Sequence, residues 1–193
     1  MSKTLILSST SPFRKSLLER LKISFEIASP NIDESVNDFN DPEQVVETLA
    51  MKKALKVASN YKNSLIIGCD QLAFYDDKVI GKPGNKDKAI KYLSLLSGKT
   101  INFFTGLCLL NTETNKYQKK VERFDVTFKN LKVNQIKRYV ELEKPYFCTG
   151  GFKSEGLGIC LIKEMSGSDP TSLIGLPLIS LIEMLENENI EVP

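Results

Sequence analysis

The stretch Ser64–Pro83, SLIIGCDQLAFYDDKVIGKP, constrains the fold of this 193-residue chain more than any other. Its first five residues form an apolar, β-branched run that is typical of a buried strand, which is predicted to end at residues 68–71. Asp70 then lies at a strand end, where ligands usually bind in α/β sheets. A hairpin with residues 76–77 at its tip leads on to Lys82. An acid and a lysine are therefore predicted to lie on rigid elements around one site.

Each of these two side chains also has a plainer interpretation. An aspartate at a strand end, such as Asp70, can simply cap a turn. A single lysine such as Lys82 usually lies in solvent. For either residue alone the plainer interpretation is favoured, so the other motifs of the chain must decide between them.

The absence of histidine from the chain narrows its chemistry. Without histidine, neither Ser-His-Asp nor Cys-His catalysis is possible, and no metal can be bound by imidazole. The base of an enzyme with this composition is a carboxylate or a lysine, and its metal is a hard, oxygen-bound ion such as Mg²⁺ or Mn²⁺. The four cysteines form no C-x-x-C pair, which favours free thiols in a reducing compartment over a zinc site.

Charge and hydropathy exclude other classes of protein. The net charge is +2 and the basic residues are spread along the chain, which is not the pattern of a nucleic-acid binder. The early apolar run is too short for a secretory signal, and no segment approaches the length of a membrane span. These features predict a single cytoplasmic domain over residues 1–193 with no membrane partner.

The N-terminal segment has the pattern of an anion-binding site. A strand over residues 4–7 is followed by a hydroxyl-rich turn and by a helix over residues 12–21, for which Ser11 is the predicted N-cap. The free N–H groups and the dipole of such a helix attract anions. Arg14 and Lys15 in its first turn oppose the dipole unless a phosphate binds there. The competing interpretation is a solvated basic turn, which we rate below phosphate binding.

The remaining periodicities predict a mixed α/β chain. A helix from Asp41 to about Tyr61 carries Lys53, and the glycine-rich loop over residues 148–158 carries Glu155. That loop matches neither the phosphate-loop spacing nor a dinucleotide fingerprint. The other predicted elements are helices over 86–96, 133–143 and 177–187, a hairpin of strands over 100–111 and 117–128 with a bulge at Phe124, and a strand over 159–162.

Acids and lysines without histidine suit one reaction type. The candidates are Glu34 and Asp70 as acids and Lys53 and Lys82 as cations, beside the phosphate-binding pattern at residues 8–15. In metal-assisted attack of water on a phosphoanhydride, the metal and the lysines neutralise phosphate charge while a carboxylate orients the water. Composition and spacing support this reaction only weakly.

Several motifs in order carry a family resemblance across nearly the whole chain. They are LILSSTSPFRKSLLERL, NIDES, the lysine of MKKA, IIGCDQ, GKP, LSGKTINFFTG, FKSEGLG and IGLPL. With them the sequence resembles the Maf family of nucleoside triphosphate pyrophosphatases. Through SPFR, CDQ and FKSEG it is similar to the branch that hydrolyses 7-methylguanosine triphosphate. Typical dTTP/UTP-cleaving members differ from this chain at Phe13, Gln71 and Glu155.

The resemblance implies a fold and a set of site residues. The fold is α/β, with a mixed, elongated, twisted sheet flanked by helices and a central cleft between two lobes, as in Maf and ITPase-like proteins. Hydrolysis between the α and β phosphates would release a nucleoside monophosphate and diphosphate, with Mg²⁺, Mn²⁺ or Co²⁺ as cofactor. By resemblance Asp70 is the general base, Glu34 and Asp70 contact the metal, and the triphosphate is bound by Ser9, Arg14, Lys53 and Lys82.

The three departures suggest which base is preferred. Glu155 could accept hydrogen bonds from the adjacent N1–H and amino groups of guanine, and Phe13 could stack on the cationic 7-methylguanine. Gln71 departs from the pyrimidine pattern together with them. The alternatives are a dTTP/UTP pyrophosphatase of the same family and a nucleotide-binding regulator of cell division. The resemblance implies a nucleotide as small-molecule partner, no polymeric nucleic acid, and a homodimer.

Overall fold

The computed structural model describes residues 3–34, 41–76 and 78–192. The chain forms two compact units, each assembled from separate segments: unit 1 from Met1–Gln71, Phe104–Glu122 and Asp169–Pro193, unit 2 from Leu72–Phe103 and Arg123–Ser168. In chain order the main elements are β1 (Thr4–Ser8), α1 (Pro12–Glu19), β2 (Glu26–Ala28), α2 (Pro42–Ala58), β3 (Ser64–Tyr75), β4 (Lys78–Ile80), α3 (Lys86–Leu96), β5 (Thr100–Asn111), β6 (Lys116–Phe128), α4 (Val133–Glu143), β7 (Ile162–Gly167), α5 (Pro170–Ile174) and α6 (Leu178–Glu186).

The strands form one mixed, seven-stranded sheet, which confirms the predicted fold class. Its order is β2-β1-β3-β5-β6-β7, with β4 paired to β3. β1 pairs in parallel with both β2 and β3, whereas β3–β4 and β6–β7 are antiparallel. Three strands, β3, β5 and β6, contribute residues to both units. No helix within the described ranges is long and apolar enough to cross a membrane.

Side chains of unit 1 alternate between two apolar layers, as expected for strands covered on both sides. On one side Leu7 and Ile67 pack with residues of α1 and α6, and we call this side the α1–α6 face. On the other, Ile6 and Ile66 pack with Ala50 and Ala54 of α2, and we call it the α2 face. The parallel pairing of β1 with β3 aligns the two patterns.

This arrangement creates a topological switch point in unit 1. The chain leaves β1 through α1 to reach β2, and then crosses through α2 to reach β3 on the opposite side of β1. The two connecting helices pack on opposite faces of the sheet. Ligands of open α/β sheets bind beyond the carboxyl ends of the strands at such a point. The topology therefore directs attention to the residues that follow Leu7 and Gly68.

Two glycines allow α2 to pack closely on the sheet. A Cβ atom on Gly68 of β3 would lie 2.1 Å from the Ala50 carbonyl oxygen and 2.9 Å from the Ala54 nitrogen. A Cβ on Gly106 of β5 would lie 2.3 Å from the Val46 carbonyl oxygen. All three contacts are with helix backbone, which cannot move aside as a flexible side chain can. Only glycine at these two positions permits the observed helix–sheet distance.

Replacing Gly68 with alanine is therefore expected to lower the free energy of unfolding by about 3 kcal/mol, because the added methyl group must push α2 from the sheet. Urea unfolding of the purified variant measures this change. Gly81→Ala is the matched control, since no atom lies within 4 Å of a Cβ built there. Equal stability of the two variants would contradict the close packing described for α2.

Unit 2 holds the glycine-rich loop. Phe152 lies in the aromatic core of this unit, with ring centroids 6.4 Å from Phe103 and 5.4 Å from Phe128. The hydroxyl of Tyr139 on α4 accepts a hydrogen bond from the Lys153 backbone N–H at 3.0 Å. Burial is the main cause that raises the pKa of the Tyr139 hydroxyl, which therefore stays protonated. The loop is thus anchored at residues 152 and 153.

Several predicted elements are confirmed and two are wrong. α3, β5 and α4 have the predicted bounds. β3 does not end at residues 68–71 but continues to Tyr75, because β4 pairs with its last residues. The predicted strand over 159–162 is a 3₁₀ turn at Leu157–Leu161, followed by β7. In the pairing of β6 with β7 the register shifts between Thr127 and Phe128, and Phe124 pairs with Gly167; the bulge predicted at Phe124 in the hairpin of β5 and β6 stays a prediction. Asp77 of the predicted hairpin tip lies outside the described residues.

Candidate active site

A buried lysine joins two acids on the α2 face of unit 1. Lys53 of α2 is only 4% exposed. Its Nζ lies 2.5 Å from Oδ1 of Asp70 and 2.7 Å from Oε1 of Glu34. Asp70 is 7% exposed, so its charge is compensated mainly by this ammonium group rather than by water. The structure thus brings together three of the residues that the sequence singled out.

Close packing of α2 places these groups. Gly68 and Asp70 point to the same face of β3, so the helix that packs on the glycine also lies over the acid. The hydroxyl of Ser8 at the end of β1 donates to the Lys53 carbonyl oxygen at 2.8 Å. This bond fixes the register of α2 against β1. Sequence reasoning did not find the role of Ser8, since no local pattern distinguishes it from the other hydroxyls of the turn.

The predicted phosphate-binding turn has an internal hydrogen-bond network. Oγ of Ser9 accepts from the Ser11 N–H at 3.1 Å and from Nη1 of Arg14 at 3.5 Å. Nε of Arg14 donates to the Gly175 carbonyl oxygen at 2.9 Å. Within the described ranges Nη2 of Arg14 has no protein partner, so a cationic donor remains available at the start of α1. Phe13 lies half-buried in the same helical turn.

Gln71 lies on the other side of the strand from Asp70. Its amide nitrogen donates to the carbonyl oxygens of Ser172 and Leu173 at 2.7 and 3.0 Å. Successive residues of a strand point to opposite faces, so Asp70 contacts groups on one face of the sheet and Gln71 contacts groups on the other. Cys69 shares the face of Gln71, and its thiol lies 3.0 Å from the Gly175 carbonyl oxygen. Burial is the main cause that raises the pKa of the Cys69 thiol, which is therefore a poor nucleophile.

A buried aspartate shapes the segment that holds Gln71 and Arg14. Asp169, 1% exposed, accepts hydrogen bonds at Oδ1 from the Thr171 N–H and at Oδ2 from the Ile179 N–H, both at 2.8 Å. One carboxylate therefore caps α5 and holds the start of α6. The carbonyls of residues 172–175 are oriented as a consequence. The Asp-Pro pair at 169–170 is a helix-start signal that could have revealed this role.

The remaining two predicted site residues belong to unit 2. Lys82 and Glu155 are both exposed there. Burial is the main cause that raises the pKa of the Cys148 thiol to about 11. The negative charge of Glu155 raises this pKa further, whereas the positive charge of Lys82 acts in the opposite direction. The four cysteines are all free, as predicted.

Glu143 of α4 holds the loop that carries Glu155. Its Oε1 accepts from the Lys153 ammonium at 2.8 Å and its Oε2 from the Leu157 N–H at 2.6 Å. Oγ of Ser154 donates to Oε2 of Glu155 at 3.2 Å. The loop is thus fixed on either side of Glu155, whose carboxylate remains exposed. The sequence contains no signal for the contact with Glu143, because α4 and the loop meet only in the folded unit.

A divalent metal can be tested against the donor chemistry of unit 1. Among the described residues no group of three or more acidic or cysteine side chains is arranged to hold a metal. Glu34 and Asp70 nevertheless place two carboxylates on one ammonium group. Mg²⁺ is commonly bound by one or two carboxylates together with water and substrate phosphates. The residues therefore fit a metal that is bound jointly with a phosphorylated ligand.

Comparison with known proteins identifies the family. The family model described as Maf-like protein matches residues 4–188. The chain belongs to the Maf family. A protein of Alcanivorax borkumensis is 51% identical over 190 residues, which cover 98% of this chain and 96% of the relative. A protein of Pseudoalteromonas atlantica is 53% identical over 188 residues, which cover 97% of this chain and 96% of the relative. Both relatives are named 7-methyl-GTP pyrophosphatase.

Proposed function

We propose that this Maf protein is a nucleoside triphosphate pyrophosphatase that hydrolyses 7-methyl-GTP to 7-methyl-GMP and diphosphate. The observation that carries the proposal is the buried Lys53 between Asp70 and Glu34. Asp70 is among the residues that follow Gly68, to which the topological switch point directs attention. The names of relatives at about half identity over nearly the whole chain support the choice of nucleotide. The reaction would remove a modified nucleotide from the cytoplasmic pool.

In this proposal Asp70 is the general base. Its carboxylate takes a proton from the water that attacks the phosphoanhydride, and Lys53 holds the carboxylate in place while it does so. Arg14 contributes donors for the phosphates at the start of α1, and its bond to Gly175 fixes the direction of the guanidinium. Lys82 of unit 2 supplies a further cation for the triphosphate.

A divalent metal would be held by Glu34 and Asp70 and would neutralise phosphate charge. Because the Lys53 ammonium already lies between these acids, a second cation is favoured only when phosphate charge arrives with it. We therefore expect Mg²⁺, Mn²⁺ or Co²⁺ to bind far more tightly with nucleotide present than without it. A homodimer is the assembly that we propose by analogy with the family.

The guanine base of the nucleotide would be recognised by an aromatic ring and a carboxylate. Phe13 can stack on the cationic 7-methylguanine ring, which contributes about 1–2 kcal/mol in a desolvated site. Glu155 can accept from both N1–H and the amino group of guanine, whereas uracil and thymine offer one donor at that edge. The contacts of Glu143 on either side of Glu155 support this role, because they limit where its carboxylate can move.

A panel of nucleotides tests the proposed reaction. Release of diphosphate from 7-methyl-GTP, GTP, UTP and dTTP is measured with Mg²⁺, Mn²⁺ or Co²⁺. We expect the highest kcat/KM for 7-methyl-GTP, with one monophosphate formed for each diphosphate. Preference for UTP or dTTP would favour the pyrimidine branch of the family. Binding without hydrolysis of any nucleotide would favour a regulator.

Glu155→Gln is expected to lower the preference for 7-methyl-GTP over UTP by about 10- to 100-fold, because a neutral amide accepts only one of the two hydrogen bonds and lacks the charge. The ratio of kcat/KM values for the two nucleotides measures the preference. Glu164→Gln, which changes another exposed carboxylate of unit 2, is the matched control. If the ratio is the same in both variants, Glu155 does not read the base.

A further inference from the structure

The amide nitrogen of Gln71 is surrounded by acceptors. Nε2 lies 2.7 Å from the Ser172 carbonyl oxygen, 3.0 Å from that of Leu173 and 3.1 Å from Oγ1 of Thr105. Oγ1 of Thr105 itself donates to the Ser172 carbonyl oxygen at 3.0 Å. Its single hydrogen is therefore used, and towards Gln71 the hydroxyl can only accept. Both hydrogens of the Gln71 amide are consequently satisfied within unit 1.

The neighbours also decide which way the amide faces. If Oε1 and Nε2 of Gln71 exchanged places, an amide oxygen would face two carbonyl oxygens within 3.0 Å, neither of which has a hydrogen to share. The observed orientation is thus the only one with favourable contacts. Oε1 makes no hydrogen bond within the described part of the chain. No buried side-chain oxygen or nitrogen there lacks a partner, so Oε1 must be accessible.

Among these three acceptors, Thr105 supplies the one that belongs to a side chain and can therefore be removed by substitution. It is 1% exposed and lies on the α1–α6 face of β5, where its hydroxyl links Gln71 to the Ser172 carbonyl. A valine would fill the same space but could neither donate nor accept. No described contact joins Thr105 to Asp70, Lys53 or Glu34, so the catalytic acids do not depend on its hydroxyl.

We propose that Thr105 is a positioning residue that locks the amide of Gln71, so that the nucleotide meets a fixed hydrogen-bond acceptor at Oε1. The inference rests on the proposed function and on the expectation from the sequence that Gln71, together with Phe13 and Glu155, marks the preferred base. A fixed acceptor selects a donor and rejects a carbonyl oxygen. The selected group is thus an N–H of the base or a hydroxyl of the ribose. Substrate analogues that lack the 2-amino group or the 2′-hydroxyl distinguish these two sources.

Thr105→Val and Thr105→Ser test the positioning role. We expect Thr105→Val to lower kcat/KM for 7-methyl-GTP by about 5- to 10-fold, the value of one hydrogen bond, through a higher KM at nearly unchanged kcat. Thr105→Ser keeps the hydroxyl and should restore kcat/KM for 7-methyl-GTP to within about 2-fold of the parent protein. Thr100→Val, at an exposed threonine of the same strand, is the control. A kcat/KM for 7-methyl-GTP that is unchanged in Thr105→Val overturns the proposal.

Binding of the two substrate analogues, which lack the 2-amino group or the 2′-hydroxyl, is measured with the same variants. The analogue that lacks the selected donor should bind the parent protein more weakly, and Thr105→Val should lower the binding of this analogue less than that of 7-methyl-GTP. If both analogues respond to Thr105→Val as 7-methyl-GTP does, no donor faces Oε1 and the proposal is overturned.

A measurement without nucleotide separates the amide lock from the choice of substrate. In ¹⁵N-labelled protein the side-chain amide signals of Gln71 can be assigned by their loss in Gln71→Met. We expect them to exchange with solvent at least about 10-fold more slowly than those of the exposed Gln135, and to exchange faster in Thr105→Val than in the parent protein or in Thr105→Ser. Unprotected amide signals in the parent protein overturn the lock. This result holds whichever nucleotide the protein prefers, so its failure is distinguishable from failure of the proposed function.

Discussion

Asp70→Asn is expected to lower kcat for diphosphate release by about 10²- to 10⁴-fold, the contribution typical of a general base. Asparagine has nearly the same shape and can still accept a hydrogen bond from Lys53, but it cannot take a proton from water. Lys53 remains paired with Glu34 in the variant, so the fold should persist. A large loss of kcat with a nearly unchanged unfolding transition is therefore the expected result.

The measurement is diphosphate release at saturating nucleotide and Mg²⁺, together with thermal unfolding of the same samples. Asp87→Asn, at an exposed aspartate of α3, controls for the loss of one negative charge. If Asp70→Asn keeps kcat within about 5-fold of the parent protein, the carboxylate is not the base, since loss of a base costs at least about 10²-fold. The attacking water would then have to be activated by another group.

Of the substitutions predicted here, Lys53→Met is expected to lower the free energy of unfolding most. The substitution leaves the Asp70 carboxylate buried without its cation, and breaking one side of a buried pair costs about 3–5 kcal/mol. The side chain of Glu34 is 60% exposed, so water can compensate its charge and most of the loss should come from Asp70. The free energy of unfolding from urea titration measures the effect, with Lys52→Met, at an exposed neighbour on the same helix, as control.

Adding Asp70→Asn to Lys53→Met identifies the cause of that loss. The double variant removes the unpaired charge, so it should recover most of the stability that Lys53→Met loses. Kinetics give a second distinction, because a lysine that only binds phosphate affects mainly KM, whereas one that holds the base in place affects mainly kcat. A double variant no more stable than Lys53→Met would show that the buried Asp70 charge is not the main cause of the lost stability.

Local signals predicted some elements to the residue. α3 begins after Asn85, whose side chain caps its first turn, and α4 ends at Glu143, which is followed by Lys144 in the left-handed conformation and then by a proline. Such caps depend on a few adjacent residues, so the sequence alone defines them. The end of β3 could not be read in this way. Gly68 looks like a strand terminator, but its actual role is to admit α2, while pairing with β4 extends the strand.

The candidate site, too, was predictable from the sequence only in part. Asp70, Lys53 and Glu34 were singled out by residue type and by resemblance, and the structure brings their charged groups into contact. Thr105 was not found, because a threonine in a mostly apolar strand carries no functional signal of its own. Its partner, the carbonyl of Ser172, lies 67 positions along the chain, and a backbone group cannot be distinguished in a sequence.

The sequence by itself limited the chemistry open to this protein. A chain without histidine, with two acids and two lysines in motifs of the Maf family, has carboxylates and lysines as its candidate bases. Only the tertiary structure decided what those groups face. Asp70 and Gln71 are adjacent in the chain, yet one contacts Lys53 of α2 and the other the carbonyls of α5. The alternation of a strand is local, but which helix covers each face depends on how the chain crosses the sheet.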